Sequence, residues 1–148
     1  MKDFKQLAVF QKTRIFNKEI YLKTKNFLAE ERFGITNQIR RASVSIATNI
    51  AEGCGRNSDK EFARFLNIAY ASACEVECLL LISSDLELID RQTLSSLQKK
   101  LDEIKKMLFA FVKKLMTEDC RLRTKSALCI VVFPVLILKT FLLDKGSV

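Results

Sequence analysis

Gln38-Ile-Arg-Arg-Ala-Ser-Val-Ser-Ile-Ala-Thr-Asn-Ile-Ala-Glu-Gly-Cys-Gly-Arg56 reads as a helix, a stop and the approach to a second helix. With Ile35 just upstream, Ile39, Ala42, Ile46 and Ile50 recur at steps of four, three, four and four. That spacing collects them on one helical face. A polar stripe runs beside it: Gln38, Arg41, Ser45, Asn49, Glu52 and Arg56. Gly53 and Gly55 are expected to stop the helix, because glycine enters left-handed backbone conformations without a Cβ clash. Ser58-Asp59-Lys60-Glu61 has the Ser-x-x-Glu form of a capping box and starts the next helix.

Outward from this segment the chain keeps a helical period. Upstream, Asp3 is a candidate cap, and Leu7, Phe10, Ile15, Phe16, Ile20 and Tyr21 mark an expected buried stripe ending near residue 27. Glu30 and Glu31 stand at the start of the second helix, about residues 32–53, where carboxylates favour the positive end of the helix dipole. Downstream, Phe62, Phe65, Leu66, Ala69, Ala73, Val76 and Leu80 line a third helix over about residues 59–87. Ala69, Ala71, Ser72 and Ala73 make its middle narrow enough for close helix approach. Asp90 caps a fourth helix whose Leu94, Leu97, Leu101, Ile104, Leu108, Phe111 and Leu115 form a heptad seam. Burying one such side chain is worth about 1.5–3 kcal/mol, so the seam must face a core. Short connectors between amphipathic helices predict an all-α, antiparallel up-down-up-down four-helix bundle over residues 1–119, with an apolar extension over 120–148.

Composition narrows the chemistry. The chain has 148 residues, one Pro, four Gly and no Trp, which suits a single helical domain. It has no His, which removes the commonest general base and metal ligand, so no enzyme, cofactor or metal is expected. Glu52, Glu61, Glu75 and Glu77 lack the His that a helical di-metal site adds to its carboxylates. Gly53-Cys54-Gly55 lacks the Lys-Ser/Thr of a phosphate loop. The five cysteines, Cys54, Cys74, Cys78, Cys120 and Cys129, read as reduced thiols of a cytoplasmic protein; Cys74 and Cys78 are expected to be small core residues rather than a zinc pair. Net charge is +8, which suits either an anionic partner or a solvated basic surface. It is spread: 20 basic and 16 acidic residues leave +4 in residues 1–120, and five basic and one acidic leave +4 in the tail.

Gln38-x-Arg40-Arg41-Ala42, Ser45-Ile46, Asn49-Ile50-Ala51-Glu52-Gly53, Arg56, Glu61-Phe62 and Arg64-Phe65-Leu66 carry a resemblance. The chain resembles, over residues 4–115, the small four-helix-bundle proteins first noticed in intervening sequences of bacterial 23S rRNA genes. The accessory variability determinant of diversity-generating retroelements is similar to that family. Phe10 stands where the family usually has Trp, Leu28 and Ala47 where Pro is common, and Ala71 where Gly is usual. The resemblance implies a barrel-shaped homo-oligomer, a pentamer, and a connection to nucleic acid or a nucleoprotein complex. It implies a fold more firmly than a molecular role.

Two functional classes follow: an oligomeric nucleic-acid-binding module, and a protein-interaction scaffold that touches no nucleic acid. The candidate nucleic-acid contacts are Arg40, Lys99, Lys100, Lys105, Lys106, Lys113 and Lys114. Guanidinium groups bind phosphate bidentately, and the lysine doublets recur along one flank of the seam. Read blandly, those lysines are an ordinary solvated helix face. Arg41, Asn49 and Glu52 are assigned to a polar network that fixes helix register, with Arg41 pairing Glu52, Glu75 or Glu77 on the same or a neighbouring subunit. Arg40 and Arg41 point about 100° apart and need not share a role. Phe16 with Tyr21, and Val44 with Ala47 and Ala51, are apolar positions beyond one seam and predict subunit contacts.

The tail carries an uninterrupted apolar run over residues 127–138, followed by Lys139. Twelve residues fall short of the roughly 20 that span a bilayer, so no membrane span is expected. Pro134 and the β-branched Ile130, Val131 and Val132 instead predict a strand or irregular segment laid against the bundle, with a poorly ordered extension as the rival reading.

Overall fold

The computed structural model describes the backbone of residues 3–27, 31 and 34–143, and side chains within that range as far as residue 117. A 3-10 turn at Phe4–Gln6 leads into four helices: α1 (Ala8–Lys23), α2 (Ile35–Cys54), α3 (Asp59–Asp85) and α4 (Arg91–Leu143). A second 3-10 turn, Thr24–Asn26, extends α1. Each helix packs on its two neighbours in a ring, α1 on α2 and α4, and α3 on α2 and α4. Cross-helix contacts fix the directions. Ser45 meets Ser72 and Gly53 meets Phe62, so α2 and α3 run antiparallel. Glu77 meets Lys105 and Phe62 meets Phe111, so α3 and α4 do too. The chain is a four-helix bundle, as its periodicity predicts.

The core is built from the predicted stripes. Ile39, Ala42, Ile46 and Ile50 of α2, Phe62, Leu66, Ala69, Ala73, Val76 and Leu80 of α3, and Leu97, Leu101, Ile104, Leu108 and Leu115 of α4 are all buried. The α1 stripe is corrected. Phe10, Phe16 and Ile20 are buried, but Ile15 is 61% and Tyr21 46% exposed. Val9 and Thr13 take the inward positions instead. Thr13 is fully buried because its hydroxyl donates to the Val9 carbonyl at 2.7 Å, which removes the cost of hiding it. Since Phe16 is core, it cannot contribute to a subunit surface; Tyr21 is exposed, and Val44, Ala47 and Ala51 are half-buried.

The helix ends follow their caps. Ser58 accepts from the Glu61 amide at 3.1 Å, and Asp90 accepts from the Thr93 amide at 2.7 Å. Asp3 caps the first 3-10 turn rather than α1. The Glu31 carboxylate accepts from the Ile35 amide at 3.2 Å, at the positive end of α2; Glu30 lies outside the described residues. The glycine expectation is corrected. No described glycine has a positive φ, and Gly55 closes α2 in a right-handed conformation. Gly53 is needed for space instead: a Cβ there would lie 2.7 Å from the Phe62 ring and 2.9 Å from Phe65 Cβ. The left-handed residue is Glu87, at φ 57°, where α3 turns toward α4.

Two further expectations are corrected. Cys74 and Cys78 are exposed on α3, whereas Cys54 is buried; the side chains of Cys120 and Cys129 lie outside the described residues. The tail is not a strand or irregular segment: α4 continues through Pro134 to Leu143, across the expected boundary at 119. Proline deletes one helix hydrogen bond and crowds the carbonyl four residues back, which bends a helix as well as ending one. Residues 115–128, with Leu115, Met116, Glu118, Arg121, Leu122, Arg123, Lys125, Ala127 and Leu128, also favour helix over strand.

Candidate nucleic-acid interface

Adjacent residues on a helix diverge by about 100°, so each lysine doublet of α4 sends one member sideways and one outward. Lys100 reaches α1, where its Nζ donates to both Glu19 carboxylate oxygens at 2.6 Å. Lys105 reaches α3 and donates to Glu77 Oε2 at 2.7 Å, with Asp102 at 3.6 Å. The Lys105 side chain is 16% exposed, and the hydrogen bond to Glu77 holds its ammonium above the usual lysine range. These two candidates are committed to joining helices. Lys99, Lys106, Lys113 and Lys114 are exposed and have no acidic partner among the described residues. Lys99, Lys106 and Lys113 repeat every seven residues, a rise of about 10 Å per step along the helix.

Arg40 stands on α2 against the end of α1. Its Nε donates to Thr24 Oγ1 at 2.8 Å, and its guanidinium carbon lies 5.0 Å over the Tyr21 ring. Thr24 can accept that bond because its own proton goes to the Ile20 carbonyl at 2.8 Å. Arg41, one residue on, is exposed and unpaired among the described residues. Both arginines border one open groove of about 550 Å³ whose walls include Tyr21, Thr36, Asn37 and Thr48. A second hollow of about 420 Å³ lies on the other side of Arg41 and includes Glu75.

The assigned polar network is corrected in its membership. Glu52 pairs with Arg56 one turn along α2, and Arg56 in turn covers the Phe65 ring at 4.5 Å. Glu77 is taken by Lys105. Among the described residues of one chain Arg41 pairs with neither of these nor with Glu75, and Arg41, Asn49 and Glu52 are not joined to one another. A network does exist around Asn49, but through serines. Ser72 donates to the Ile68 carbonyl at 3.1 Å, so its oxygen accepts from Ser45 at 2.8 Å. The Asn49 amide donates to the Ser45 hydroxyl at 3.1 Å and to the Ser45 carbonyl at 2.8 Å. This chain of bonds locks α2 to α3 at the narrow middle of α3. The sequence carries a signal for it, a small polar residue on each facing helix, Ser45 and Ser72, which the charges of Arg41 and Glu52 obscure. Tyr21 and Thr24, which hold Arg40, were hidden by their apparent core positions or lack of pattern.

No group of three His, Cys, Asp or Glu able to hold a metal occurs among the described residues. α3 is long and apolar enough to cross a membrane by length and composition. Its apolar character has two sources here: the core face facing α2 and α4, and an outward face where Ile68, Ala71, Cys74, Cys78, Leu81 and Ile82 are exposed.

The family described as 23S rRNA-intervening sequence protein matches residues 5–110. A crystal structure of a protein of unknown function from the S23 ribosomal protein family of Bacteroides thetaiotaomicron is similar to the chain, with 32% identity and a TM-score of 0.67. That likeness covers 72% of this chain and 96% of the other. No curated protein matches the chain.

Proposed function

The chain belongs to the 23S rRNA-intervening sequence protein family, and from that premise we propose that it is a non-enzymatic homo-oligomer that binds RNA or a nucleoprotein complex by phosphate contact. The observation that supports this reading is the row of Lys99, Lys106 and Lys113, exposed at seven-residue spacing without acidic partners among the described residues. Each such lysine adds a counterion-releasing contact on a polyanion, and contact with phosphate alone carries no base readout. A ring of copies, a pentamer by family resemblance, multiplies that row and makes weak contacts additive.

The test is binding to mixed RNA and DNA across a salt series, with light scattering to size the particle. Affinity that falls steeply with salt and varies little with sequence supports the reading. No binding at low salt overturns it, and a clean monomer at micromolar concentration overturns the ring.

A second reading has its own observation. The outward face of α3 carries Ile68 at 40%, Leu81 at 45% and Ile82 at 39% exposure, with Ala71, Cys74, Cys78 and one carboxylate, Glu75, between them. Contiguous exposed apolar surface marks protein contact. It suits a subunit interface under the first reading, or a partner protein if the chain is a scaffold without nucleic-acid binding.

A further inference from the structure

We infer that the groove bordered by Tyr21, Arg40 and Arg41 is a discrete oxyanion subsite that takes one phosphoryl group. The inference deepens the nucleic-acid reading and rests on it for the source of the phosphate, but it makes a separate demand on Arg41.

Arg40 is already positioned as a phosphate ligand would require. Its Nε is tied to Thr24 and its plane lies over Tyr21. Its two terminal amino groups have no partner among the described residues, so the fork is held in place with donors to spare. Arg41 brings a second guanidinium to the same groove, also uncommitted. Both positive charges border this one groove, and the described residues of its wall include no carboxylate to offset them. Glu31 is held by the Ile35 amide, and Glu75 lies in the neighbouring hollow beyond Arg41, outside hydrogen-bond reach. An oxyanion in the groove supplies the missing charge, and a guanidinium can bind it bidentately.

The groove wall adds neutral donors. Thr36 is 5% exposed, and its hydroxyl has no hydrogen-bond partner among the described residues. Buried hydroxyls are nearly always bonded, so this one marks a donor held in reserve at the groove. Asn37 adds an exposed amide beside it. Both stand in the first turn of α2, where the helix dipole favours an anion. Ser45 and Thr48, by contrast, spend their protons within the bundle.

The chain has no Trp and two Tyr, so in a Tyr70→Phe background the tyrosine emission reports Tyr21 alone. Titration with inorganic phosphate is expected to give a saturable change. Arg41→Gln should weaken that binding about tenfold or more, as loss of a charge-assisted hydrogen bond implies. Thr36→Val should weaken it a few-fold, while Arg64→Gln, an equal change in charge elsewhere, should leave it unchanged. A ten-nucleotide uridine oligomer forms the second arm. Phosphate binding that depends on Arg41, with no oligomer binding at low salt, keeps the subsite and defeats the nucleic-acid reading. Oligomer binding with no saturable phosphate response, or with equal losses in Arg41→Gln and Arg64→Gln, keeps that reading and overturns the subsite. A changed particle size in Arg41→Gln with phosphate binding intact would make Arg41 a subunit contact and overturn its role here.

Discussion

Gly53 of α2 sits against Phe62 of α3 with no room for a side chain: a Cβ at Gly53 would lie 2.7 Å from the Phe62 ring and 2.9 Å from Phe65 Cβ. The ring can turn, but the Phe65 Cβ is fixed to the α3 backbone. The helix ends here because the two helices converge toward the turn, and the glycine lets them.

Gly53→Ala should therefore destabilise. In an open helix the change gains about 1 kcal/mol of propensity. Here overpacking costs about 1–3 kcal/mol, and since α3 must shift as a unit the upper part of that range wins. Gly55→Ala is the control: its Cβ would meet only the Glu52 carbonyl at 3.3 Å, so a change within about 0.5 kcal/mol is expected. Urea melts of both variants decide it; an unchanged midpoint for Gly53→Ala would refute the close-approach account.

Glu87→Gly should stabilise. Glu87 is left-handed, and the Leu88 and Glu87 amides close α3 by donating to the Ser83 and Ser84 carbonyls at 2.8 and 3.0 Å. A non-glycine residue in that conformation costs about 1–2 kcal/mol, partly offset by the extra chain entropy glycine loses on folding. A rise of several degrees in the thermal midpoint is expected, with Glu87→Ala giving no such rise.

Stability should respond to pH from two opposite ends. The Thr93 amide, then the Thr93 hydroxyl, hold the Asp90 carboxyl below its usual range. Its contribution is full above the unfolded value and is lost as pH falls through the lower folded one. Lys105, raised by Glu77, contributes fully below its unfolded value and loses that as pH rises through the higher folded one. The stability deficit of Asp90→Ala should thus be constant near neutrality and shrink in acid. That of Lys105→Met should shrink in strong base, as the ammonium is lost. Parallel curves across the whole range would refute both assignments.

The α4 lysines should separate into two sets. Lys99, Lys106 and Lys113 changed to Gln should lower the salt slope of duplex DNA binding by about 0.9 for each phosphate no longer neutralised. Lys100→Gln and Lys105→Gln should leave the slope nearly unchanged and lower the melting midpoint instead, since they hold Glu19 and Glu77. Equal slopes for the two sets would show that the ion pairs open on binding.

The periodic features were legible in the chain alone: four helices, their caps at Ser58 and Asp90, the seams of α2, α3 and α4, and the family. Apolar residues at helical spacing have only one way to leave water together, so the pattern states the fold. It read α1 least well, because Thr13 is polar by type yet buried through a bond to its own helix, and Ile15 is apolar yet 61% exposed. It also placed Arg40, the lysine row and Asn49 on outer faces without saying what each would touch. That depends on how the helices pack. Whether Lys100 or Lys99 is spoken for depends on Glu19, 81 residues away in the chain, and whether Asn49 bonds a serine or an arginine depends on where α3 lies against α2. The shared groove of Arg40 and Arg41 was hidden for the same reason. Charge and spacing are properties of the chain, but a partner within 3 Å is a property of the packing between helices.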